Sequence, residues 1–259
     1  MGLPQPFADA LKLLSKEQKF PLIVNLNLYL FAPLMALTLA LIIWAILPTY
    51  FILHYLILAT LRFLAISSIT VYATLGSGWT SNSKYSLLGA LRRVAQTISY
   101  EVSIILVLLR PLIIIKSFSL HLFINTKEWI FLALPLTFII WFITALAESN
   151  RTPFDFAEGE SELVSGFNTE FRRSLFALIF IGEYTRILAL SFITAIFIIN
   201  ILHLSFVITP LLILFASFVF LWVRGTLPRI RYDQLIYLTW KRFLPFSIAL
   251  LLIIAPLTF

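Results

Sequence analysis

Apolar residues in this chain gather in long blocks, neither alternating nor confined to one helical stripe. Seven blocks can be bounded, at approximately 27–47, 51–75, 86–115, 129–147, 175–199, 205–224 and 242–258. Each approaches the ~20 residues that carry a helix across ~30 Å of hydrocarbon at 1.5 Å per residue. In lipid only an intra-segment ladder satisfies the backbone of such a segment. The pattern therefore predicts an all-α, polytopic integral membrane protein of about seven transmembrane helices, forming one membrane domain over 1–259. The third block exceeds the membrane thickness, and its early Arg92 and Arg93 read as the wet end of a projecting helix whose membrane part starts near Val94.

Ahead of the first block the period changes. Residues 4–16 (PQPFADALKLLSK) set Phe7, Ala10, Leu11 and Leu14 at helical spacing, with Asp9, Lys12 and Lys16 elsewhere on the wheel. This predicts an N-terminal amphipathic helix lying along the membrane surface or packed on a partner. No apolar stretch in residues 1–19 resembles the core of a signal peptide, so insertion depends on the internal helices. Counting outward from residues 1–26, alternation places 76–85, 148–174 and 225–241 on one side, and nearly all the Lys and Arg fall there. That side is the cytoplasm, or the matrix of an organelle.

Composition sharpens this reading by exclusion. With 61% apolar and 12% charged residues, the chain is far from the roughly one quarter charged of a soluble domain. It has no cysteine, so any iron–sulfur cluster or thiolate metal site belongs to a partner. The net charge of +7 sits in short loops between spans, which argues against nucleic acid as a partner.

Charged residues inside spans cost about 2.5–3.5 kcal/mol each on insertion scales. Arg62, Glu101, Glu183 and Arg186 stand out. Glu183 and Arg186 are three apart and can pair within a helical turn. Glu101 has no such local counter-charge, its neighbours being Ser99, Tyr100 and Ser103, so it is the better candidate for exchanging protons. The most unusual stretch is 148–171, ESNRTPFDFAEGESELVSGFNTEF. It holds Glu148, Asp155, Glu158, Glu160, Glu162 and Glu170 on the face where positive charge is otherwise favoured. Phe154, Phe156, Leu163, Val164 and Phe167 alternate with these acids, which a solvated loop would not need. The loop is therefore expected to fold back and hold a coupled carboxylate cluster. Calcium or magnesium binding is the competing reading, but the spacing matches no EF-hand pattern, and no metal is assigned. Gly76-Ser77-Gly78 is read as a turn, and His54, His121 and His203 lie too far apart in sequence to propose a ligand set.

The runs WTSNSKYSLLGALRRVAQTISYEVS (79–103), LAESNRTPFDFAEGESELVSGFNTEF (146–171) and RIRYDQLIYLTWKRFLP (229–245), with QPFADALKLLSKE (5–17), resemble in order the family of subunit 1 of NADH:ubiquinone oxidoreductase, respiratory complex I. The resemblance covers nearly the whole chain. It implies a membrane subunit at the junction with the peripheral arm, forming part of the ubiquinone tunnel and the start of a buried carboxylate proton route. By the family pattern, Asp9, Glu17, Arg151, Asp155, Glu158, Glu160, Glu162 and Glu170 surround the quinone cavity. Glu101, Glu148 and Glu183 match the acids of the proton route. The chain would bind no cofactor alone: ubiquinone is the substrate, while NADH, FMN and iron–sulfur clusters reside in partner subunits. The isolated chain is expected to have no activity. The resemblance implies the mitochondrial inner membrane with the acidic loop on the matrix side, or alternatively a bacterial plasma membrane.

Two departures from the family pattern add expectations. Family members open with a further membrane helix and a short basic loop, which predicts a separate short chain supplying that helix. Arg172 and Arg173 stand where the family has small residues, and Arg62 where it is apolar; Arg172 and Arg173 are read as contacts for anionic phospholipid such as cardiolipin, or for another subunit. The competing readings are the membrane anchor of a related hydrogenase or formate-oxidising complex, and a stand-alone ion channel or carrier.

Overall fold

The computed structural model describes residues 2, 4–18, 20–21, 24–48, 56–125, 134–156, 166–198 and 208–258. Its elements are all helical: α1 (Gln5–Ser15), α2 (Leu26–Ile46), α3 (Ala59–Thr80), α4 (Lys84–Ile115), α5 (Leu120–Asn125), α6 (Pro135–Glu148), α7 (Arg173–Ile198), α8 (Ile208–Thr226), α9 (Tyr232–Leu238) and α10 (Leu244–Thr258). A 3-10 turn occupies Gly166–Asn168, and a turn of π-helix, Thr239–Phe243, joins α9 to α10. Among the described residues six helical stretches are long and apolar enough to cross a membrane. The remaining expected span, 129–147, is represented by the shorter apolar α6; residues 126–133 lie outside the described residues.

Two boundaries differ from the sequence reading, for the same physical reason. The second span runs over 59–80 instead of 51–75, so Gly76-Ser77-Gly78 is helix and not a turn. Residues 232–241, expected as loop, are helical and continue into the last span. Polar residues lower hydropathy without breaking a helix. In α3 the hydroxyls of Thr74, Ser77 and Thr80 hydrogen-bond back to carbonyls three residues earlier, which suits them to a helix in an apolar medium. The shift also moves Arg62 to the start of α3, where its side chain is exposed and can reach away from the hydrocarbon along its own stem.

The chain divides into two compact units. The first comprises 1–41, 69–94 and 156–185. Its core gathers Tyr29, Ala90, Phe167, Phe171, Leu175 and Ile179. Tyr29 stacks on Phe171 with ring centroids 4.3 Å apart and donates its hydroxyl proton to the Glu170 carbonyl at 2.8 Å. Small residues let backbones approach: a Cβ on Gly78 would come within 2.2 Å of the Ala90 Cβ, and one on Gly89 within 2.8 Å of the Phe167 nitrogen. Such contacts take the place of hydrophobic driving force between helices in lipid. α1 belongs to this unit and exposes Phe7, Leu11 and Leu14 along one stripe, as the amphipathic reading requires.

The second unit comprises 42–68, 95–155 and 186–259. Trp141 packs on Phe197 and Phe142 on Phe220, at 5.0 and 5.4 Å between centroids. The segment after α6 is tied down by the backbone as well as by side chains. The fully buried Gln96 amide donates to the carbonyls of Ala147 and Phe154 at 3.0 and 2.8 Å, and the Ile230 N–H donates to the Pro153 carbonyl at 3.1 Å. Asn150, part of an Asn-Arg-Thr sequon in the sequence, is 5% exposed, so no glycan could be attached there.

Candidate functional site

In the first unit the chemistry centres on one buried ion pair. Arg93 on α4 donates from Nη1 to Glu183 Oε1 on α7 at 2.7 Å, and the two side chains are 3% and 11% exposed. The Arg93 guanidinium also lies 4.5 Å from the centroid of the Phe167 ring, a cation–π contact that replaces part of the lost hydration. Arg93 was expected at the wet end of its helix. It is buried because a carboxylate and an aromatic face together supply what water would, and hydropathy counting cannot register partners contributed by distant sequence. The same ring explains one aromatic of the acidic loop: Phe167 is buried as part of the core.

The other expected residues of this unit are dispersed. Asp9, on exposed α1, accepts a hydrogen bond from Gln5 at 3.3 Å, and Glu17 is exposed just beyond the helix. Glu170 is half-buried, its carbonyl engaged by Tyr29. Arg172 is exposed, while Arg173 is half-buried and starts α7 with φ +60°. Glu158, Glu160 and Glu162, with Leu163 and Val164, lie outside the described residues.

In the second unit three acidic groups face inward. Glu148, at the end of α6, is 4% exposed, and its Oε1 is 3.9 Å from Arg186 Nη1. Glu101 on α4 is half-buried, and its Oε1 is shielded from solvent with no hydrogen-bond partner among the described residues. The charges of Glu101 and Glu148 are close enough to interact. The Tyr100 hydroxyl is likewise buried without a hydrogen bond among the described residues, and its ring meets Phe154 at 5.8 Å. Asp155 is half-buried and Arg151 buried, at 6% exposure. Phe154 and Phe156, next to Asp155 in sequence, are both buried, as expected of a segment that folds back.

Glu183 and Arg186, read as a pair within one turn, thus each take a partner from a distant segment, and sequence spacing gave no sign of either. Sequence reasoning also missed Arg110. This residue sits in the membrane part of α4, fully buried, donating from Nη2 to the Ser247 carbonyl at 2.9 Å. The signal was available, since Arg110 lies within an apolar block that was counted as a span. Among the described residues no group of three His, Cys, Asp or Glu side chains is placed to hold a metal ion. The second unit thus gathers one buried and one half-buried carboxylate, Glu148 and Glu101, with the Arg186 guanidinium 3.9 Å from the former.

A family model described as NADH dehydrogenase matches residues 1–255. The chain is 50% identical over 263 residues to NADH-ubiquinone oxidoreductase chain 1 of Lampetra fluviatilis, covering 96% of this chain and 80% of that protein. It is 50% identical over 255 residues to the protein of that name from Aedes aegypti, with the same coverage of each. A third relative of that name, from Hylobates lar, is 50% identical over 262 residues, covering 97% of this chain and 81% of its own.

Proposed function

Because this chain belongs to the NADH dehydrogenase family, whose model it matches over 1–255, we propose that it is a membrane subunit of proton-pumping NADH:ubiquinone oxidoreductase, working with the other subunits of complex I in the mitochondrial inner membrane. The animal relatives, each named NADH-ubiquinone oxidoreductase chain 1, support that assignment, as do the apolar helices. The reading places the acidic loop on the matrix side and has the chain form part of the ubiquinone tunnel, with Asp9, Glu17, Arg151, Asp155, Glu158, Glu160, Glu162 and Glu170 around the headgroup path. Electrons arrive from NADH through flavin and iron–sulfur centres held by partner subunits. Exposed Arg172 and its neighbour Arg173 contact anionic phospholipid or an adjoining subunit.

In this reading the chain does not carry electrons. Reducing a quinone to a quinol takes up two electrons and two protons, and the transient negative charge changes the field at nearby carboxylates. Glu101, Glu148 and Glu183 convert that change into proton movement. The observation that carries the proposal is Glu101: a membrane-embedded carboxylate whose shielded oxygen has no hydrogen-bond partner among the described residues, within electrostatic reach of the buried Glu148. Intramembrane acids of this kind mark proton relays.

Replacing Glu101 with Gln tests it, since the amide has the same shape and cannot carry the proton. The assembled complex should keep its oxidation of NADH by an artificial acceptor while ubiquinone reduction falls about tenfold or more. Unchanged ubiquinone turnover would remove Glu101 from the route.

A further inference from the structure

α4 carries two charged groups within its membrane part, both in the second unit, and only one of them has a role in the route just proposed. Glu101 is the nearer to the Lys84 end. Arg110 lies nine residues further on, five before the helix ends at Ile115, which sets it about 14 Å beyond Glu101 along the helix axis at 1.5 Å per residue. Its side chain is fully buried. One hydrogen bond, from Nη2 to the Ser247 carbonyl of α10, fixes the guanidinium. Nε and Nη1 have no hydrogen-bond partner, and no carboxylate pairs with it, among the described residues. Among the described residues its charge is therefore held in place without being cancelled.

A structural clamp between two helices needs no charge: an amide or hydroxyl would bond the Ser247 carbonyl and be cheaper to place in lipid. What the guanidinium adds is a fixed positive potential, and unlike an ammonium it does not readily give up its proton when buried. Proton-excluding pores place arginine to such an effect. We infer that Arg110 is an electrostatic barrier that stops protons reaching Glu101 from continuing along this chain to the opposite face of the membrane. Protons on Glu101 then leave only sideways, toward partner subunits. The inference rests on the reading of Glu101 as part of the proton route. Arg110 is in this sense a residue that sets the direction of proton flow, and it touches no substrate.

The test uses the whole complex reconstituted in liposomes, comparing Arg110→Gln, Arg110→Lys and Glu101→Gln. Ubiquinone turnover, protons moved per electron, and passive proton entry under an imposed potassium diffusion potential are measured for each. A barrier predicts that R110Q turns over normally but leaks. Its passive proton entry should rise roughly five- to tenfold, the Boltzmann factor for one unit charge at about 14 Å in an effective dielectric near 20, and its proton yield should fall accordingly. R110K, whose ammonium can give up its proton when buried, should be tight at low pH and leak increasingly as the pH rises. A tight R110Q overturns the barrier, and so does an R110K that leaks alike at low and high pH, because the effect would then follow shape and bonding instead of charge. If R110Q does not assemble, Arg110→Met, similar in length and without charge, takes its place with the same expected and overturning outcomes. Failure of the underlying reading has a different signature: E101Q would turn over and pump as the unmodified complex does.

Discussion

The two units solve the same problem, a charge in an apolar medium, in opposite ways. In the first, Arg93 and Glu183 close to 2.7 Å and an aromatic ring covers the cation. In the second, the Arg186 and Glu148 pair stands at 3.9 Å, Glu101 keeps a buried oxygen without a hydrogen bond among the described residues, and Arg110 keeps two such nitrogens. A short pair covered by an aromatic ring is held by geometry as well as by charge. The longer pair lies beyond hydrogen-bonding distance, so it is held by Coulomb attraction more than by shared geometry. The comparison points to the Arg93 and Glu183 pair as one that also holds the fold, whatever part Glu183 takes in the proposed route.

Arg93→Leu should have the largest effect. It strands the Glu183 carboxylate in a buried site, and breaking such a pair costs about 3–5 kcal/mol. Native gels should show assembled complex strongly depleted. The double replacement Arg93→Leu with Glu183→Leu removes both charges and should recover most of the assembly, since an apolar pair of similar volume is often no worse than a buried ion pair. Recovery of ubiquinone reduction along with assembly would show that Glu183 only holds the fold, and would remove it from the proton route. If the double replacement stays unassembled, the holding role assigned to this pair is too simple.

Gly89→Ala comes next, and probes the cap of the same pair. The added Cβ would lie 2.8 Å from the Phe167 nitrogen and 3.0 Å from Gly166 atoms, all backbone, so the turn Gly166–Asn168 must move. Overpacking of this kind costs about 1–3 kcal/mol. The shift should also draw the Phe167 ring off Arg93. A lowered melting temperature of the complex, read by differential scanning fluorimetry, checks it; an unchanged value would mean that the turn is free to yield.

These residues also show where the sequence was legible. The helical class, the spans and the amphipathic α1 follow from apolar run length and period, which are local properties. Glu101 was legible because a lone acid in an apolar run needs no partner to be conspicuous. Arg93 was misplaced, and the partners of Glu183 and Arg186 were not found, because those contacts join segments 90 and 38 positions apart in the chain. No local periodicity encodes them. The boundaries of α3 and α9 shifted because serine, threonine and charged residues mask a helix from hydropathy while leaving its hydrogen bonding intact. Arg110 was overlooked for the converse reason: six uninterrupted apolar neighbours on its N-terminal side, 104–109, drown one charge in any average.

Arg186→Gln is the mildest of the three changes and the one that bears most directly on the second unit. At 3.9 Å the Arg186 and Glu148 contact is beyond hydrogen-bonding distance, so between these two groups the replacement removes Coulomb attraction. A glutamine on α7 can still donate to nearby acceptors, and the lost stability should stay near about 1 kcal/mol, too little to deplete the complex. Its effect should appear in function. If the pair has to open for a proton to pass, removing the cation changes the balance between Glu148 and Glu101, and ubiquinone reduction should shift by roughly two- to fivefold with assembly intact. Melting temperature and turnover measured on one preparation separate the outcomes. A large fall in melting temperature with proportionate loss of turnover would make this pair a second clamp, erasing the difference between the units. A near-constant melting temperature with altered turnover would preserve it, because the charge would then act on the reaction without first loosening the fold.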